Sequence, residues 1–91
     1  MTNFTYSKDL PDNLDLGKIV AIDCETMGLN PGRDRLCVIQ LSSGDGHTHI
    51  VQIEKDQTKA QNLTRLLENK NILKLFHFGR FDIAILYSTF G

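Results

Sequence analysis

Shortages in this 91-residue sequence remove whole classes of protein before any motif is considered. Its two cysteines, Cys24 and Cys37, lie inside predicted strands without Cys-x-x-Cys spacing, which excludes a disulfide framework or a zinc site and leaves core thiols. Ten basic residues against eleven acidic ones give a net charge of −1, so the chain lacks the basic surplus needed to grip long nucleic acid through many phosphates. A nucleic-acid ligand would have to be short, or held mainly through metal. No apolar run reaches the ~18 residues of a membrane span. The N-terminus, with Lys8, Asp9 and Asp12, does not read as a signal peptide, and the expected compartment is the cytoplasm. Low-complexity, Pro-rich and Ser-rich runs are missing too, so one small globular domain is expected. A chain of this length buries only about 60 to 65% of its unfolded surface, and marginal stability follows.

Residues 19 to 29, I-V-A-I-D-C-E-T-M-G-L, are the densest source of chemistry. Four apolar residues, Ile19 to Ile22, are too few for a helix and rich in β-branched side chains, so they predict a strand buried on both faces. Strand side chains alternate, which puts Asp23 and Glu25 on one side and Cys24 on the other. Two neighbouring carboxylates repel, and hard divalent cations such as Mg²⁺ or Mn²⁺ take oxygen ligands of this kind. Gly28 in Thr26-Met27-Gly28-Leu29 can adopt positive φ and let a ligand approach.

Residues 1 to 17 predict an irregular lead-in, with Phe4 and Tyr6 as candidates for a short edge strand. Asn30-Pro31-Gly32 is a turn, and Arg33-Asp34-Arg35 a charged connection into a second strand over 35–42. Ser43-Gly44-Asp45-Gly46 predicts a hairpin turn into a third strand over 47–53, on which His47 and His49 are expected to be exposed at an edge. Ala60, Leu63, Leu66 and Leu67 recur at helical spacing, predicting a helix from about Thr58 to Asn69 with Asp56 as a candidate cap. Asn69-Lys70-Asn71 breaks it, and residues 72–76 predict a fourth strand that a helical crossover would place parallel to the first. A second helix is expected from Gly79 or Arg80 to Phe90, with Asp82 in its first turn. The order β-β-β-α-β-α predicts an α/β fold on a mixed sheet, with carboxylates at the end of a central strand.

The Asp23-Cys24-Glu25-Thr26 stretch resembles the first motif, D-x-E-T, of the DEDD family of 3′-to-5′ exonucleases. Residues 35 to 42, together with His77, Phe81, Asp82 and Leu86, resemble the ribonuclease D branch, and within it the short bacterial proteins of nanoRNase C type. The similarity covers roughly residues 15 to 90 and implies the N-terminal part of a ribonuclease-H-like fold. It also implies metal-dependent removal of nucleotides from the 3′ end of RNA or short oligoribonucleotides. Two divalent ions, Mg or Mn, would be held by Asp23, Glu25 and Asp82; Thr26, Met27, Gly28, Leu29 and His77 would meet the substrate.

Taken singly, the same residues have plainer readings. Asp82 can be a helix-start acid, His77 a hydrogen-bonded strand-end histidine, and Arg33 and Arg35 a solvated turn. The family also uses a fourth acid, from a Tyr-x-x-x-Asp or His-x-x-x-Asp motif on a later helix, and this chain has none after Asp82. The expectation is therefore a single incomplete domain over 1–91, inactive alone, whose last strand is an open apolar edge. A homo-oligomer or a complementary C-terminal fragment would cover that edge. A non-catalytic binding or assembly module is the alternative from another class. A phosphatase of the haloacid-dehalogenase type fits poorly, because Glu25 and Met27 depart from its D-x-D-x-[TV] motif.

Overall fold

The computed structural model describes residues 2–26, 35–76 and 79–91. Five strands and two helices follow in the order β1 (Thr2–Ser7), β2 (Ile19–Thr26), β3 (Leu36–Ser42), β4 (His47–Gln52), α1 (Gln61–Glu68), β5 (Leu73–Phe76) and α2 (Gly79–Phe90). The strands form one sheet in the spatial order β1-β4-β3-β2-β5. Strands β2, β3 and β4 pair antiparallel as a meander, while β5 lies parallel to β2 after the α1 crossover. This is the mixed α/β sheet that the sequence pattern predicts. Part of the lead-in is a full six-residue strand: β1 runs parallel to β4 from Thr2↔His47 to Ser7↔Gln52.

The strand β2 corrects one expectation. It alternates strictly, with Val20, Ile22 and Cys24 buried and Ile19, Ala21, Asp23 and Glu25 exposed, so only one of its faces is covered. The covered face joins Val20, Ile22, Cys24, Ile39, Leu41 and Val51 to Leu63 of α1 and to Ile85 and Leu86 of α2 in a single core. Both helices therefore contribute to the same side of the sheet. On the other side the cross-strand pairs Ile19↔Leu73 and Ala21↔Leu75 face outward, with Ile19, Leu73 and Leu75 about half exposed.

Helix α1 begins at Gln61, later than the apolar spacing suggests, and its N-cap, Ala60, offers no side-chain acceptor. Asp9 supplies one from the N-terminal segment. Its carboxylate accepts the backbone N–H groups of Asn62 at 2.8 Å and Leu63 at 2.9 Å, so two orphan donors of the first turn are satisfied from a residue more than fifty positions away. Asp56, the expected cap, instead sits in a tight bend at a φ of 68°. The helix ends at Asn69, whose Oδ1 accepts the N–H of Asn71, a local bond that competes with further helix.

The turn between β3 and β4 is built as its residues predict. Gly44 and Gly46 take φ of 82° and 87°, and the N–H of His47 donates to Asp45 Oδ1 at 3.0 Å. That bond holds the Asp45 carboxyl below the usual carboxylate range. His49 departs from expectation: it is buried, because β1 pairs with β4 and removes the edge on which the histidine would have been exposed. Its ring stacks on Phe4 and Tyr6, and its Nδ1 lies 2.9 Å from the Tyr6 hydroxyl. Among the described residues, no helix is long and apolar enough to cross a membrane.

Candidate active site

The acids of β2 stand near the end of a strand flanked on both sides, by β3 and by β5. Alternation turns Asp23 and Glu25 to the uncovered face, where both are exposed, and turns Cys24 into the core. The register breaks between Glu25 and Thr26, so the chain leaves its regular pairing just past the second acid. Across the sheet, Gln40 of β3 lies opposite Asp23 and Val38 lies opposite Glu25. A cavity of about 400 Å³ opens beside Asp23, with Ala21 and Leu75 as apolar lining and Gln40, Ser42 and Thr48 as polar lining.

Among the described residues neither Asp23 nor Glu25 has a cationic partner, and the ion pair formed there is Lys8–Glu54, elsewhere on the surface. An uncompensated pair of oxygen donors on one strand face suits a hard divalent cation. Asp82 is placed differently. It lies in the first turn of α2, 1% exposed, on the core side of the sheet. Its charge reaches Cys24: burial first, then Asp82 and then Asp23, push the thiol up from 9.0 to about 12. Asp82 and Asp23 thus both lie close enough to Cys24, near the end of β2, to act on its thiol. Among the described residues, no three His, Cys, Asp or Glu side chains converge closely enough to hold one ion.

The other predicted residues divide. Thr26 closes β2 and is half buried. Met27, Gly28, Leu29, the turn at 30–32, Arg33 and His77 lie outside the described residues. Arg35 is a structural tie: its guanidinium donates to the carbonyl of Ile53 at 3.0 Å, joining the start of β3 to the end of β4. Gln40 was not among the predicted site residues. Its signal is a lone amide in the apolar run L-C-V-I-Q-L, on a face that alternation alone assigns once the register with β2 is known.

The sequence matches the 3′-5′ exonuclease family over residues 2–91. The chain belongs to this family. Among solved structures, this chain is similar to Brucella melitensis NrnC with bound Mg²⁺, at 55% identity and a TM-score of 0.94, covering 100% of this chain and 46% of that one. It is equally similar to Brucella melitensis NrnC bound to pGG, at 55% identity and a TM-score of 0.93 over 100% and 45% of the two chains. A nuclease described in its apo form matches at 46% identity and a TM-score of 0.94, again over 100% and 45%. The chain therefore spans a little under half the length of the structures it matches. At these identities the fold is that of the N-terminal part of NrnC. The comparison with curated proteins returned no match.

Proposed function

We propose that this chain is the acid-bearing N-terminal part of an enzyme that removes nucleotides from the 3′ end of short RNA, using Mg²⁺ or Mn²⁺ held by Asp23, Glu25 and Asp82. The observation that carries the reading is the pair Asp23 and Glu25, exposed and without a cationic partner among the described residues, in a chain 55% identical to a nuclease solved with Mg²⁺ and with pGG. Two divalent ions bound there would supply an activated water and stabilise charge on the leaving oxygen. Asp23, central on the face, would contact both ions, and Glu25 would hold one. Asp82 would reach the end of β2 from the first turn of α2. Thr26, Met27, Gly28 and Leu29 would seat the terminal nucleotide, with His77 beside it.

Three acids are one short of the family's four, and the uncovered face of β2 and β5 gives the remaining half of a relative's length a surface to cover. The partner of this chain is then a complementary C-terminal portion, in one polypeptide or supplied by another copy. Two free cysteines suit a reducing compartment, the cytoplasm.

The test is trimming of a 5′-labelled short RNA in Mg²⁺ or Mn²⁺ by the 91-residue chain and by a form extended to the length of its relatives. The extended form should trim and lose activity on Asp23→Asn, while the 91-residue chain shows little or none. Robust trimming by the 91-residue chain would refute the need for a complement. Full activity of the Asp23→Asn extended form would refute the assignment of the metal site.

A further inference from the structure

The two β2 acids differ in what stands across the sheet from them. Val38, opposite Glu25, has no polar group to offer, whereas Gln40, opposite Asp23, carries a carboxamide on the same face. Directly opposed residues in an antiparallel pair have Cβ atoms about 4.5 to 5.5 Å apart, within reach of a glutamine side chain. Both residues line the same cavity. Among the described residues neither side chain has a hydrogen-bond partner, so each is free to turn toward the other across the cavity that both line.

We propose that Gln40 is a positioning residue for Asp23: its Nε2–H donates to the Asp23 carboxylate and fixes the plane in which the other carboxylate lone pairs are presented to a cation. The inference rests on the reading of Asp23 as a metal ligand. The residue type matters. A carboxylate offers about four acceptor positions, so one can take a donor while others stay open to an ion. A lysine or arginine at position 40 would orient the carboxylate equally well but would neutralise the charge that attracts the cation. A neutral amide orients and leaves the charge intact. Ligating carboxylates are held by such hydrogen bonds in metal sites generally, and losing the outer partner costs about 10- to 100-fold in metal affinity. The asymmetry also assigns separate roles: Asp23 is the oriented ligand, and Glu25, with only an aliphatic neighbour opposite, is free to change its mode of contact.

The experiment uses the 91-residue chain and has two readouts. In metal-free protein, the side-chain amide resonances of Gln40 are followed by ¹H–¹⁵N correlation spectra. Asp23→Asn should shift them and Glu25→Gln should leave them in place; resonances that ignore Asp23→Asn, or respond equally to both changes, overturn the proposal. The second readout is Mn²⁺ affinity by electron paramagnetic resonance. Gln40→Met, which keeps the volume and removes the donor, should weaken Mn²⁺ binding about tenfold in the wild-type background and have no further effect on top of Asp23→Asn. A melting temperature measured alongside separates this from loss of fold, since a merely structural role would lower it and leave affinity of the folded protein unchanged. If neither the wild-type chain nor the form extended to the length of its relatives takes up Mn²⁺, the metal reading itself fails, while the amide resonances still decide the Gln40 contact.

Discussion

Removing the Asp9 carboxylate should destabilise this chain more than any other single surface change, because it holds a helix it does not belong to. The carboxylate accepts the N–H groups of Asn62, Leu63 and its own neighbour Leu10, all at 2.8 to 2.9 Å. An N-cap side chain within a helix is worth about 0.5 to 2 kcal/mol, and hydrogen bonds to a charged group about 1.5 to 3 kcal/mol. Asp9 is half buried, so water recovers part of the loss, and Asp9→Ala should cost about 2 to 4 kcal/mol. A chain of this length has roughly 5 to 14 kcal/mol in total, so the change takes a large share. At about 4 to 8 °C per kcal/mol, the melting temperature should fall by roughly 8 to 32 °C. Asp9→Asn retains one acceptor oxygen and should cost roughly half as much. Urea titration followed by far-ultraviolet circular dichroism measures the difference, and hydrogen exchange should show the Asn62 and Leu63 amides losing protection first. A loss within about 0.5 kcal/mol for Asp9→Ala would refute the reasoning and mean that burial of Leu63 alone sets the position of α1.

Cys37 should react with a thiol reagent in the folded chain while Cys24 remains protected until unfolding. Because the Cys24 thiol is raised from 9.0 to about 12, the folded state keeps a proton that the unfolded state loses; stability from this group is intact below pH 9 and falls as pH rises toward 12. Cys24→Ala should flatten that alkaline limb in a pH series of urea titrations. Asp45 has the opposite sign: its carboxyl is lowered, so the β3–β4 turn should loosen as pH drops below the ordinary aspartate range, visible as faster exchange of the His47 amide. Tyr6→Phe removes the hydroxyl 2.9 Å from His49 Nδ1 and should cost about 1 kcal/mol by urea titration. Leu73→Lys with Leu75→Lys, on the exposed face of the edge strand, should reduce self-association in size-exclusion chromatography with little change in melting temperature, and unchanged self-association would show that another surface is responsible.

Local chemistry made several features readable without coordinates. The alternation that separates Asp23 and Glu25 from Cys24 is a property of any strand, and it holds through β2. The Gly44-Asp45-Gly46 turn follows from positive φ and a short acceptor side chain, and the presence of α1, though not its start at Gln61, from apolar spacing at three and four residues. The D-x-E-T stretch carried the family. Other features required residues far apart in sequence to meet. The four apolar residues that open β2 look the same whether one face or two are covered, and only the docking of α1 and α2 on a common side leaves Ile19 and both acids exposed. His49 became a core residue because β1 returned to pair with β4, an event 43 residues away from its partner Tyr6. The cap of α1 came from Asp9 because the helix-start residue Ala60 has no acceptor, and no local rule points 53 residues upstream. Gln40 gained its place opposite Asp23 from strand register. Period and turn chemistry are short-range and written in neighbouring residues; coverage, capping from a distance and register depend on which surfaces meet, and those are decided by the packing of the whole chain.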